Sequence, residues 1–303
     1  MKSVISCILV LSVFTLFFGC TVPASKPDLP EPSLSTPGFI IDAHVHYRAT
    51  DEWEKDFLTV FEKYNAIGCV LVRMNNLERG IKFAKENPDR VIPYAAVDID
   101  NPNVLKDIQK VYDMGYKGLG ELPVNQLNYD DPKYDPAWAL AEKLCMPICV
   151  HTGIRSRGHI ARMRPGYLGT ICVKFPNLTI HAAHFGNPWY AEAAEVARRN
   201  KNLYFDLTGS TLIKKFEDPW YWKEVLWWTP HLGKPHMPED AVPAFEKIVF
   251  GTDQDPSGME ENILRFNNVL DACEVSQETR DKCYYGTMAR IHNIDVSRYL
   301  PKK

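Results

Sequence analysis

The sequence predicts a single (β/α)8 TIM barrel, an α/β fold, on three observations. From residue 39 onward, short apolar runs alternate with longer amphipathic segments, and eight such units recur at a spacing of roughly 30 residues. Six of the apolar runs end on a His, Glu or Asp, as expected where a barrel collects functional groups at the carboxyl ends of its strands. No Gly-rich phosphate loop follows the first run, whereas an open doubly wound sheet, the competing architecture, usually begins with one.

The first strand, residues 39–44, runs into His44-Val45-His46. Side chains two apart on a strand share a face, so the two imidazoles project together, with Phe39, Ile41, Ala43 and Val45 on the opposite face. Such a pair can hold a divalent metal between its nitrogens, although in a chain with nine histidines the spacing alone says little. The second strand, Gly68–Val72, ends near Arg73 and Asn75, and the third covers Val91–Val97. The fourth, Gly115–Leu119, ends on Glu121, and the fifth, Pro147–Val150, on His151. The sixth, Leu178–Ala182, reaches His184. The seventh, Leu203–Leu207, ends at Asp206, Thr208 and Ser210, and the eighth, Lys247–Gly251, ends on Asp253. Helical patterns fill the intervals at about 51–66, 77–87, 102–114, 135–145, 159–175, 188–200, 217–228 and 259–272, and a last helix from Ser276 to His292 closes the chain.

His181 and His184 are three apart and fall on opposite faces of a strand. His184, at the rim, is expected to look into the barrel, and His181 to pack or hydrogen-bond against a helix. His159, His231, His236 and His292 lie in loops or helices and receive no metal role. Blander readings stay open at this point: Asp253 lies in good turn chemistry, His151 could be a loop histidine, and Glu121 could pair with an arginine.

The chain has 303 residues, ample for one large domain, and its 45% apolar and 24% charged content is that of a soluble globular protein. A net charge of −3 gives no reason to expect nucleic acid as a partner. Residues 1–19 read as an export signal: Lys2, then a nearly unbroken apolar stretch from Val4 to Phe18, too short for a membrane span. Cys20 after Gly19 resembles the lipid-bearing cysteine of a bacterial lipobox, although Phe17 and Phe18 replace the usual Leu and small residue. Residues 20–37, with five prolines from Thr21 to Pro37, read as an extended tether, leaving the barrel domain at 38–300. The expectation is an exported cell-envelope lipoprotein that meets the membrane through its lipid anchor only, with plain secretion and a retained N-terminal anchor as the alternatives and homo-oligomerisation left open. Beyond Cys7 and Cys20, the six cysteines lack zinc-knuckle spacing and are expected to be buried free thiols.

Taken together, Ile-Asp-Ala-His-Val-His, Val-His-Thr-Gly, His-Ala-Ala-His-Phe-Gly and Val-Phe-Gly-Thr-Asp, in that order, resemble the amidohydrolase superfamily, specifically its amidohydrolase-related (amidohydrolase 2) branch of metal-dependent barrels. The resemblance covers about 39–293 and implies that His44, His46, His151 and Asp253 gather around a divalent metal, usually zinc, with His184 a ligand or a partner of the reactive water. The ending from Tyr285 to Ile291 is similar to the family's closing helix, with Gly286 where an Asn is common. Gly118-Leu119-Gly120-Glu121 resembles the strand-four motif of TatD-like and phosphotriesterase-like relatives, which implies that Glu121 bridges two metals. One ion or two remains open.

The implied chemistry is hydrolysis of a lactone, amide or ester in a small polar substrate by a metal-bound hydroxide, since zinc lowers the pKa of bound water from ~15.7 to about 7. Asp253 would move the proton and His184 stabilise developing charge. Asp42 is a candidate to support the His44 ring, or else is buried behind the site. Arg155, Arg157 and Arg73 are candidates to bind the substrate. The aromatic run from Phe216 to Trp228 is either a lid or packing. A metal-dependent decarboxylase of the same branch is the alternative, and a non-catalytic ligand-binding lipoprotein a third reading.

Overall fold

Strand β1 (Ile40–His46) and the strands that follow it, β2 (Ala66–Arg73), β3 (Val91–Ala96), β4 (Gly118–Leu122), β5 (Ile148–His151), β6 (Ile180–Ala183) and β7 (Leu203–Phe205), pair in parallel and in sequence order. The structure, a computed structural model, describes residues 35–155, 159–209, 211, 218, 220–228 and 241–300. The eighth segment is a bridge: Ile248 pairs with Phe205, and Val249 N–H donates to Phe205 O at 2.8 Å. On its other side Ala43 N–H donates to Phe250 O at 2.9 Å and Asp253 N–H to His44 O at 2.8 Å. These bonds tie β7 to β1 and close the barrel.

Residues alternate between two apolar layers. Ile67, Cys69 and Leu71 of β2 face the barrel interior with Phe39, Ile41, Ala43 and Tyr94, while Ala66, Val70 and Val72 face the helices. In β1 the register slips: Asp42 pairs with Gly68, but Val45 pairs with Val70, so β1 carries one extra residue. A bulge of this kind flips the phase of every later side chain. Val45 therefore joins the outer layer and does not share a face with Phe39, Ile41 and Ala43. The same flip turns His44 and His46 inward, where strict alternation would have aimed them at the helices.

Helix α1 (Asp51–Lys63) starts where the Thr50 side chain accepts from Trp53 N, and it buries Trp53, Phe57 and Phe61 at four-residue spacing. The helix over Val104–Met114 ends at Gly115, whose φ of 106° suits glycine. That cap delays β4 to Gly118, three residues later than expected, and carries the strand through Glu121. The helix expected at 159–175 is broken before Pro165, where Arg164 is extended; only Gly166–Lys174 is α-helical. The closing segment runs as Gln277–Asp281, a π-turn at Lys282–Gly286 and Thr287–His292, and Met288 and Ala289 pack under the barrel interior.

Cys69, Cys149, Cys172 and Cys283 are buried free thiols as expected, whereas Cys145 is exposed and Cys273 half-buried. The leader 1–19, Cys20 and the tether up to residue 34 lie outside the described residues. Among those described, no helix is long and apolar enough to cross a membrane.

At the bottom of the barrel His292 Nε2 meets Tyr94 OH at 2.9 Å, and burial together with Lys117 pushes the imidazole down to about 4. With a folded value below the ordinary ~6.5, the stability from neutral His292 is present above that pH and lost as pH falls towards 4. Urea unfolding should show a loss of about 2 kcal/mol from this source between pH 6.5 and 5, and His292→Gln should remove that component.

Candidate metal centre

The bulge and the closing segment bring β1 and the eighth strand end together. His44 Nε2 lies 3.2 Å from His46 Nε2, and Asp253 Oδ1 lies 3.4 Å from the former and 3.1 Å from the latter. Two donors held ~2.0–2.1 Å from one ion at a tetrahedral angle are about 3.3 Å apart, so this near-equilateral triangle is one face of a zinc-like site.

A second group forms on β4, β5 and β6. Glu121 Oε1 lies 2.7 Å from His151 Nδ1 and 3.3 Å from His184 Nε2, while Glu121 Oε2 lies 3.7 Å from His46 Nε2. One carboxylate thus faces both sets of histidines. The ligand atoms of His44, His46 and Glu121 lie within 4.8 Å of one another, as do those of Glu121, His151 and His184.

The hydrogen bonds fix the tautomers of His44 and His184. Asp206 Oδ2 accepts from His44 Nδ1 at 3.0 Å, leaving the lone pair on His44 Nε2. Thr208 Oγ1 donates to Asp206 Oδ1 at 2.6 Å, so it accepts from His184 Nδ1 at 2.9 Å and leaves the lone pair on His184 Nε2. His151 turns Nδ1 to Glu121 Oε1: with the proton on Nδ1 it donates to the carboxylate, and with an ion between the two Nδ1 is the ligand atom and the proton sits on the buried Nε2, which has no partner among the described residues. The His44 Nε2 lone pair then faces Asp253 Oδ1 and the His184 Nε2 lone pair faces Glu121 Oε1, contacts that become favourable once a proton or a metal ion lies between the two atoms. The titration behaviour agrees. Burial opposes charge on His44, yet Asp253, Asp206 and Glu121 push it up to about 10. Burial also opposes ionised Glu121, but His151 and His184 hold its carboxyl well below the usual range. A site that draws a proton onto a fully buried imidazole is short of positive charge, and the donor set fits a divalent metal.

Asp206, which the sequence places at the end of the seventh strand without assigning it a role, is central to the site. It sits just beyond β7, fully buried, and accepts from His44 Nδ1, His181 Nε2 (2.8 Å), His184 N (2.9 Å), Thr208 N (2.9 Å) and Thr208 Oγ1. Its place at the end of Leu-Tyr-Phe-Asp, on the same rim as the other carboxylates, was the available signal. Two expectations change with it. His181 bonds Asp206 inside the barrel and does not turn to a helix, because the chain leaves β6 after Ala183 and His184 takes a φ of 67°, which lets both histidines face inward. Asp42 supports the His44 backbone: its Oδ1 accepts from His44 N and Thr252 N, each at 3.0 Å, while Asp206 holds the ring.

Of the expected substrate residues, Arg73 lines a cleft beside His46 and Asp253. Arg155 is exposed, with Nη1 3.3 Å from Asn125 Oδ1. Arg157 lies outside the described residues, as do Ser210 and Phe216. Trp222 and Trp228 are buried, Trp222 against Phe185 and Tyr190, so these two pack, whereas Trp227 lies beyond the helix and is exposed, under the Arg198 guanidinium.

Residues 73–293, well over half of the chain, match the family model described as Amidohydrolase. The chain belongs to the amidohydrolase family of metal-dependent enzymes. The match begins after β1, so His44 and His46 precede it, and the closed barrel brings them to Asp253. Among solved structures the amidohydrolase-family chain resembles an uncharacterized TIM-barrel protein from Bordetella bronchiseptica (15% identity, 84% of this chain and 98% of the other, TM-score 0.58). It also resembles proteins assigned as 2-pyrone-4,6-dicarboxylic acid hydrolases. One is from Acinetobacter baumannii, with citric acid bound (14%, 84% and 99%, 0.54). Another is from Pseudomonas putida (12%, 84% and 98%, 0.55). At such identities the likeness establishes the barrel. No curated protein sequence matches the chain.

Replacing Asp206 by Asn keeps its shape and removes the charge that orients His44. Zinc affinity, measured by competition with a chromophoric chelator, should fall about 10- to 100-fold while the far-UV circular dichroism is retained.

Proposed function

We propose that this amidohydrolase hydrolyses a carbonyl-type bond, a lactone, amide or ester, in a small polar substrate, using two divalent ions, zinc in the first place. One would be held by His44, His46 and Asp253, the other by His151 and His184, with Glu121 shared between them. The carrying observation is the position of Glu121: its two oxygens address separate histidine sets, as a bridging carboxylate must, and a decarboxylase has no need of that bridge. The names of the similar hydrolases, which specify a cyclic ester acid, agree with this reading.

Bound there, the ions would supply Lewis acidity to the substrate carbonyl and acidify an adjoining water. The protein's own groups do the rest. Asp253 is one-fifth exposed, and with Oδ1 committed to the triangle, Oδ2 is left to take a proton from water and return it to the leaving group. Its φ of 52° is a left-handed conformation uncommon for a non-glycine residue, and its N–H is tied to His44 O. That bond fixes the carboxylate against the first ligand pair. Asp206 and Thr208 keep His44 and His184 from turning.

Asp253→Asn should lower turnover of a hydrolysed lactone or ester by at least about 10³-fold while retaining most of the bound metal. Metal analysis of the purified wild type should approach two ions per chain. Activity unchanged in Asp253→Asn contradicts the proton-transfer role, and a single ion with undiminished hydrolysis contradicts the bridging role of Glu121.

The sequence also supports export and anchoring through Cys20. In a bacterial host the full chain should fractionate with membranes, and Cys20→Ala should move it to the soluble fraction.

A further inference from the structure

The cleft beside His46 and Asp253 measures about 520 Å³, the size of a small-molecule site. No aliphatic side chain lines it; Arg48, Arg73, Asn75, Asn76 and Gln254 make up most of its wall. Its two guanidinium groups differ. Arg48 Nε is 2.7 Å from Asp255 Oδ1, so its charge is matched. The guanidinium of Arg73, exposed at the end of β2, makes no hydrogen bond or ion pair to any described residue. Arg155, by contrast, does not line this cleft and contacts Asn125.

We infer that this cleft is the substrate subsite and that Arg73 binds a carboxylate of the substrate on the β1–β2 side of the centre, an inference that rests on reading the centre as a hydrolase site. The physical case is one of matching. A free guanidinium presents a planar fork that a carboxylate fills bidentately. The amides of Asn75, Asn76 and Gln254 offer donors and acceptors to carbonyl or hydroxyl oxygens beside that carboxylate. An apolar or unsubstituted aromatic substrate would displace water from these groups and leave them unpaired, which selects strongly against it. The substrate class is therefore a short, oxygen-rich acid, with its anionic end at Arg73 and its scissile carbonyl directed towards His46 and Asp253. Arg73 also offsets the negative charge of Asp253 and Asp255 on the same wall, so an anion can approach.

Calorimetric titration of the zinc-loaded protein with glutarate, and with neutral glutaramide of the same shape, tests this without any turnover. Arg73→Ala should weaken glutarate binding about 10- to 100-fold and leave glutaramide unmoved; Arg73→Lys, which keeps the charge and loses the fork, should fall between. Glutarate binding equally well to Arg73→Ala, absent from the wild type, or lost as much in Arg155→Ala overturns the inference. Because no reaction is needed, a protein that binds in this way yet hydrolyses nothing would refute the hydrolase reading and leave the anion subsite standing.

Discussion

A carboxylate sealed from solvent is the constraint on which the rest of the centre depends. Burying an ionised aspartate without partners is prohibitively unfavourable, so Asp206 persists only because five donors converge on its two oxygens. Those donors come from β1, from β6 and the turn after it, and from the segment after β7. Satisfying one charge therefore fixes three strand ends relative to one another. Because a carboxylate only accepts, it also dictates which ring nitrogen of His44 carries the proton, and through Thr208 it dictates the same for His184. The ligand geometry is a by-product of that satisfaction.

The second constraint is steric. The closing segment passes between β7 and β1 at Gly251, where a Cβ would fall 2.9 Å from Thr208 Cγ2 and 3.1 Å from His44 Cβ. Any side chain there would push the first histidine away from its partner carboxylate. The extra residue in β1 acts in the same region, since it rotates His44 and His46 inward just before the chain meets the closing segment. A tight closure and a phase-shifted first strand are thus two halves of one local solution.

Much of this was legible in the sequence because barrels repeat. Apolar runs at regular spacing fixed the strand order, and a polar residue capable of binding metal at one strand end after another located the rim. The boundaries were less legible where a single residue's conformation decides them. Gly115 in a left-handed cap moved β4 onto Glu121, and Pro165 split an expected helix. Least legible were the features set by register and distance. A bulge depends on which residue of β2 faces which residue of β1, and no alternation within Phe39–Val45 announces it. The bond between His44 and Asp206 joins positions 162 residues apart. Asp42 was the nearer carboxylate in sequence, but its oxygens are taken by the His44 N–H and by Thr252 N and Oγ1, and it does not hold the ring.

The three carboxylates of the centre are chemically alike, and their surroundings assign them different duties. Asp206 has no oxygen to spare and is sealed from bulk solvent, so it orients its neighbours and is not placed to exchange a proton. Glu121 is partly exposed like Asp253, but both its oxygens face histidines, which hold it ionised, so its capacity is spent on joining two clusters. Asp253 alone combines partial exposure with one oxygen outside the ligand triangle, its nearest basic neighbour beyond that triangle being His184 Nδ1 at 3.9 Å. In the proposed reaction the base must be both close to the ions and open to water. Asp253 meets both conditions, and the strained backbone that places it there is held by the same bond to His44 that closes the barrel.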